Sequence, residues 1–122
     1  MNSLNKSLKV LLIPNKPLPY DLNQLDGIQN ALKEFDIYSH IYLSSYSEDR
    51  IIKFLEENSF DIIFAVNKGR PQNLKKTIRF ISWFQDFYYD SDNLLENYEK
   101  SDIVYFYTSQ DSFGVSKKIN CL

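Results

Sequence analysis

The residues best suited to chemistry form a short basic stretch, residues 67–71 (NKGRP). From residue 68 to residue 79 there are five basic residues and no acidic one. Two cations beside a glycine can hold a phosphate or a carboxylate, because lysine and arginine donate charge-assisted hydrogen bonds to these anions. Asn67, Lys68 and Arg70 are therefore candidate ligand-binding residues. The alternative is a solvated loop, followed by a helix face with ordinary surface lysines.

Aromatic rings and one carboxylate stand together in a second candidate group, residues 83–89 (WFQDFYY). Asp86 follows a predicted strand, where a carboxylate is well placed to act as a base or to bind a hydroxyl group. The flat faces of Trp83 and Tyr88 suit sugar rings, whose C–H faces are apolar and whose edges form hydrogen bonds. The alternative is that the aromatic residues belong to the core and that Asp86 only caps a loop.

The sequence lacks the glycine-rich loops that cradle phosphates in nucleotide-binding domains. It has neither G-x-G-x-x-G after its first apolar run nor G-x-x-x-x-G-K-[ST] anywhere, and it contains only 3 glycines. The single histidine, His40, and the single cysteine, Cys121, cannot form a cluster of metal ligands between them. We therefore expect no cofactor and no metal, and we interpret His40 as structural and Cys121 as incidental.

Length, composition and charge are typical of a single globular domain. The 122 residues and 14.4 kDa match one domain, and 43% apolar residues are enough to build a core. The net charge of −2 argues against general nucleic-acid binding, which needs a basic surface. No apolar run approaches the ~20 residues that cross a bilayer, and the N-terminus lacks the apolar stretch of a secretion signal. We expect a cytoplasmic protein with no transmembrane segment and no nucleic-acid partner.

Short apolar runs alternate with amphipathic stretches along the chain. The intervening stretches are long enough to cross a sheet and return in parallel. The first run is followed by a loop with three prolines in six residues, which excludes helix there. The predicted strands are residues 8–13, 37–43, 60–66, 79–84 and 103–107.

Two of the stretches between strands carry clear helix signals. Asp21 is expected to cap the first helix, whose apolar face continues to Phe35, and Ser47 is expected to cap the second. The second helix is predicted to end near residue 58. Gly27, inside the first helix, has two interpretations that stay open: close approach to a strand or ligand, or plain tolerance of a residue that weakens the helix.

Further helices are expected from Pro71, over residues 90–100 and near residue 111. Right-handed crossovers then give a parallel sheet with helices on both faces. We predict one α/β domain over residues 1–122, a Rossmann-like three-layer α/β/α sandwich with a five-stranded parallel sheet of order 3-2-1-4-5. Ligands bind such sheets beyond the carboxyl ends of the strands, where the strand order reverses. Asn15, in the loop after the first strand, therefore joins the candidate binding residues.

Several segments follow one another in an order known from one protein family: residues 8–14, 60–65 (FDIIFA), 81–86 (ISWFQD), 101–106 (SDIVYF) and 108–114 (TSQDSFG). The specific element is the strand end W-h-Q-D, where h is a hydrophobic residue. In these segments the sequence resembles the N-terminal half of bacterial GT-B-type glycosyltransferases. A proline-rich loop stands where that family has a glycine-containing first loop.

This resemblance implies a domain that binds the acceptor, a sugar or glycan, in the cleft of a two-domain sugar transferase. A nucleotide-sugar donor is held in that family mainly by a C-terminal domain, which this sequence lacks. The chain is therefore expected to be the N-terminal half of a longer protein and to be inactive alone. In this hypothesis Asp86 acts as base or hydroxyl ligand, and Trp83 and Tyr88 shape the sugar platform. Lys68 and Arg70 contact a phosphate.

Two other hypotheses stay open. The chain contains 9 Tyr and 9 Phe, and aromatic residues are enriched at protein interfaces. It could accordingly be a non-catalytic flavodoxin-like module that regulates or binds a partner protein, or that pairs as a homodimer. A flavin-binding enzyme is the third hypothesis, although the loop after the first strand lacks the hydroxyl-rich phosphate cradle of flavodoxins.

Overall fold

All the strands that the structure describes run parallel in a single sheet. The computed structural model describes residues 8–85, 95–106 and 120–121 of the chain. Neither helix in these ranges is long and apolar enough to cross a membrane. The strands are β1 (Lys9–Ile13), β2 (Tyr38–Ile41), β3 (Ile62–Val66), β4 (Arg79–Phe84), β5 (Ile103–Phe106) and β6 (Asn120–Cys121), and the helices are α1 (Pro19–Glu34) and α2 (Glu48–Glu57).

The strand order is β2-β1-β3-β4-β5-β6. The predicted parallel α/β sheet is thus confirmed, whereas the predicted order 3-2-1-4-5 is wrong. After β2 the chain crosses β1 and adds β3 on the far side, which leaves β2 at the edge. The side chains explain this choice, because β2 exposes Tyr38 and His40 whereas β3 buries Ile63, Ala65 and Val66. A strand buried on both faces needs a central place, and a strand with polar residues fits an edge.

Alternate residues of the strands face opposite layers. α1 packs through Leu25 on the face that carries Leu12, which we call the α1 face. α2 packs through Ile51 on the face that carries Leu11 and Ile63, the α2 face. Because the two helices lie on opposite faces, the predicted three-layer arrangement is confirmed.

The two helices begin with different signals. α1 begins at Pro19, after Leu18 at the N-cap position, so the prediction that Asp21 caps it is wrong. Proline suits the first helical position because it has no N–H to satisfy, and Asp21 instead places its charge in the positive first turn. α2 begins as predicted: the Ser47 hydroxyl accepts a hydrogen bond from the Arg50 N–H at 3.2 Å.

Gly27 lies on the exposed side of α1. A methyl group placed there would meet nothing within 4 Å, so no strand or side chain requires a glycine at this position. Of the two interpretations left open by the sequence, this surrounding space favours plain tolerance.

Replacing Gly27 with alanine is expected to stabilise the protein by about 0.5–1 kcal/mol, because alanine has less conformational freedom to lose on folding. Urea unfolding followed by circular dichroism measures the change. The matched control is Ala31→Gly, on an exposed position of the same helix, which should destabilise by a similar amount. A Gly27→Ala variant less stable than the wild type would show that the glycine is required.

No helix forms between β3 and β4. The predicted helix from Pro71 is wrong, since residues 71–78 form turns instead. The guanidinium of Arg70 is buried there and donates to the backbone carbonyls of Lys75 at 2.8 Å and Ile78 at 2.9 Å. Buried carbonyls need hydrogen-bond donors, and here a side chain supplies what a helix would have supplied.

Asp102 receives the rest of this network just before β5. Nη1 of Arg70 lies 3.0 Å from both of its carboxylate oxygens, and both side chains are buried. The carboxylate also accepts from the N–H of Phe80 at 2.8 Å and of Glu99 at 2.7 Å. One carboxylate therefore joins the β3–β4 connection to the starts of β4 and β5.

The helix predicted over residues 90–100 is wrong over its described part. Residues 95–100 form turns instead, and the contact between Glu99 and Asp102 closes them.

Replacing Arg70 with methionine is expected to cost about 3–5 kcal/mol of stability, because it leaves the Asp102 charge buried without its partner. Urea unfolding measures the loss. Lys75→Met, at an exposed side chain of the same connection, is the control and should change stability little. An Arg70→Met variant within about 1 kcal/mol of the wild type would contradict the role given to the ion pair.

Candidate functional site

A cleft opens at the carboxyl ends of the central strands. β1 and β3 are neighbours, and the chain leaves β1 toward α1 but leaves β3 toward the opposite face. Ligands of parallel α/β domains bind at such a reversal. The cleft has a volume of about 340 Å³. The loops after β1 and β2 and one residue after β3 line it: Ile13, Pro14, Asn15, Lys16, Pro17, Tyr42, Ser44, Ser45, Tyr46 and Lys68.

Lys68 links the loops across this reversal. Its ammonium Nζ donates to the carbonyl of Asn15 at 2.8 Å and approaches the carbonyl of Val66 at 3.5 Å. The ring centroid of Tyr46 lies 5.0 Å from Nζ, within the range of a cation–π contact. Burial lowers the pKa of Lys68, and the nearby carboxylate of Asp21 acts in the opposite direction. The structure therefore brings together two of the predicted residues, Asn15 and Lys68.

Asn67 sets the direction in which the chain leaves β3. Its φ of 57° lies in the left-handed region, which asparagine adopts more readily than most residues. Its N–H donates to the carbonyl of Trp83 at 2.9 Å, and its side-chain oxygen accepts from the N–H of Gln85 at 2.7 Å. These contacts fix the end of β3 to the end of β4. Asn67 thus positions Lys68, and it does not line the cleft itself.

A buried serine in β4 holds the backbone of Lys68 in place. The hydroxyl of Ser82, on the α2 face of β4, donates to the carbonyl of Lys68 at 2.8 Å. The same hydroxyl pairs with the hydroxyl of Tyr98. Because the one hydrogen of Ser82 goes to the carbonyl, Tyr98 is the donor in that second bond. Sequence analysis missed both residues, and the available signal was a serine within the apolar strand 79–84.

Two predicted binding residues lie elsewhere. Arg70 is buried and bound to Asp102 and to backbone carbonyls, so its guanidinium is not available to a phosphate. Trp83 is half-buried on the α1 face, with its ring 6.3 Å from that of Phe64, and it does not line the cleft. Arg70 thus has a structural role through its ion pair and hydrogen bonds, and Trp83 packs against the core, which was the alternative considered for it.

Asp86 and Tyr88 lie outside the described residues, so their roles stay predictions. The last described residue before them is Gln85, at the carboxyl end of β4. Its side-chain amide lies 3.5 Å from the side-chain oxygen of Gln24 on α1. The helix predicted near residue 111 also lies outside the described residues.

Histidine and the acidic residues do not build a metal site in the described ranges. There, no group of three or more His, Cys, Asp or Glu side chains could hold an ion. His40, predicted to be structural, lies on the edge strand β2 with its ring stacked 5.9 Å from that of Phe54. It borders a shallow groove of about 370 Å³ with Arg50 and Lys53 of α2, and this groove shares Tyr42 and Ser44 with the cleft.

Fold and cleft together define the class: a doubly wound, parallel α/β domain with a cleft where the strand order reverses. Comparison with protein-family models, curated proteins and solved structures finds no match for this chain.

Proposed function

We propose that this domain binds a sugar that carries a phosphate or another anionic group, as the acceptor-side half of a sugar transferase. The observation that supports this most directly is the ammonium group of Lys68 at the wall of the cleft between β1 and β3. The protonated side chain has three N–H donors, and two of them face the carbonyls of Asn15 and Val66. Within the described residues Nζ makes no third hydrogen bond, so one N–H beside the Tyr46 ring can serve a ligand.

The rest of the lining suits hydroxylated compounds. Ser44 and Ser45 are exposed in the loop after β2, and their hydroxyls can both donate to and accept from a sugar. Tyr46 adds an aromatic face beside the cation. A volume of about 340 Å³ lies at the small end of ligand pockets and suits a sugar phosphate better than a whole nucleotide sugar.

In this proposal the nucleotide-sugar donor needs a further domain, and Asp86 acts as the base for the acceptor hydroxyl. Gln85 supports that placement, since it brings the chain to the carboxyl edge of the sheet directly before Asp86. Arg70 has no part in it.

Binding is tested by adding glucose 1-phosphate to the isotope-labelled protein and following amide NMR shifts. We expect shifts in the loops after β1, β2 and β3. Lys68→Met should weaken binding at least about tenfold, because hydrogen bonds to charged groups contribute about 1.5–3 kcal/mol. The control is Lys53→Met, on α2 outside the cleft. Shifts confined to other surfaces, or equal affinity in Lys68→Met, would contradict the proposal.

The alternative of a non-catalytic module is favoured by a different observation, the uneven cover of the α1 face. The α2 face is buried as far as Val104 and Phe106 on β5, but on the α1 face Trp83 is half-buried and Tyr105 is 40% exposed. We propose a second copy of the chain as the occupant. Among the described residues of β4 and β5 on this face, the only charged side chain is Arg79, at one end. An antiparallel pairing keeps the two copies of that charge apart.

Sedimentation velocity tests this alternative. We expect a dimer that Tyr105→Asp converts to a monomer, because pairing would bury the new carboxylate without a counter-charge. The control, Tyr20→Asp at a 74% exposed position of α1, should remain a dimer. A wild-type protein that sediments as a monomer at all soluble concentrations would contradict the alternative.

A further inference from the structure

We propose that the side-chain amine of Lys68 forms an imine with a carbonyl ligand in the cleft, such as an aldehyde or the open-chain form of a reducing sugar. The inference rests on the proposed function for the sugar character of the ligand. It adds a covalent step that phosphate binding does not require.

The geometry around Nζ favours this chemistry. A neutral amine has two N–H donors and one lone pair. The carbonyls of Asn15 at 2.8 Å and Val66 at 3.5 Å are placed to accept both N–H groups. The lone pair then occupies the remaining direction, and Lys68 is part of the cleft wall. Because both acceptors belong to the backbone, the amine is held in place whichever side chains surround it.

Burial of Lys68 favours the neutral form that attacks a carbonyl, whereas the Tyr46 ring and the Asp21 carboxylate favour the ammonium. An ordinary lysine, with a pKa of about 10.4, is almost entirely protonated at pH 7 and is a poor nucleophile. Burial lowers the pKa of Lys68, so a larger fraction of this side chain is neutral at pH 7 than in an ordinary lysine. Burial also raises the pKa of Tyr46 to about 12, so its phenol stays uncharged at neutral pH and puts no anion beside the amine.

The step balances without an oxidant or reductant. The lone pair of Nζ attacks the carbonyl carbon, and transfer of one amine proton to the oxygen gives a carbinolamine. Loss of water then forms the C=N bond, with the carbonyl oxygen leaving in that water. Water reverses the reaction, so the adduct is a reversible way to hold the ligand.

Reductive trapping tests the inference. The full chain is treated with glycolaldehyde and cyanoborohydride at pH 7, and the modified lysines are located by mass spectrometry of peptides. We expect Lys68 to be modified severalfold faster than Lys33, Lys53 and Lys75, which are exposed and lie outside the cleft. A rate no higher than theirs would overturn the proposal.

Two variants separate the covalent step from the proposed function. Lys68→Arg keeps the positive charge but cannot form an imine, so it should bind glucose 1-phosphate and lose the adduct at residue 68. Adduct formation in the wild type without sugar-phosphate binding would contradict the proposed function alone.

Asp21→Asn removes the carboxylate that favours protonation of Lys68 and should speed its modification at pH 7. An unchanged or slower rate would contradict the role given to the neutral amine.

Discussion

The part of the sheet from β3 to β5 depends on one interaction, the buried ion pair between Arg70 and Asp102. A connection of a dozen residues crosses the sheet between β3 and β4 without a helix, so its backbone carbonyls lack the usual partners. Arg70 supplies donors to two of them, and Asp102 fixes the guanidinium while it holds the start of β4 and the turn before β5. Burying two charges is costly, and these additional hydrogen bonds are what offset the cost.

The β3–β4 connection also determines the geometry of the cleft. A helix beginning directly after β3 would carry its residues away from the sheet, whereas the extended chain lies close enough for Ser82 to hold the carbonyl of Lys68. Asn67 fixes the preceding turn through contacts with the end of β4. The Lys68 side chain, anchored at its backbone in two ways, then reaches Asn15 in the loop after β1. The contacts of Ser82 and Asn67 therefore determine the position of Lys68. In the described structure, Lys68 is the only cation that joins these loops.

Local patterns in the sequence were enough to predict the parallel sheet, the bounds 79–84 of β4 and the cap of α2 at Ser47. The strand order depends on which strand tolerates the edge of the sheet. The polar residues of β2 indicate an edge strand, but the predicted order did not take them into account. The role of Arg70 could not be read locally, because its partner lies 32 residues further along the chain. Lys68 and Asn15 were both chosen as candidates, but their contact joins residues 53 apart and follows only from the fold.

Lys68 can serve both proposed kinds of ligand because its two protonation states present different groups to the same cleft. The ammonium offers a third N–H to an anion, and the neutral amine offers a lone pair to a carbonyl carbon. Removal of water from the side chain favours the neutral state, and Asp21 favours the charged one. A bound phosphate would add to the effect of Asp21 and keep the lysine protonated. An anion and a carbonyl are therefore expected to compete for Lys68, even where the cleft has room for both.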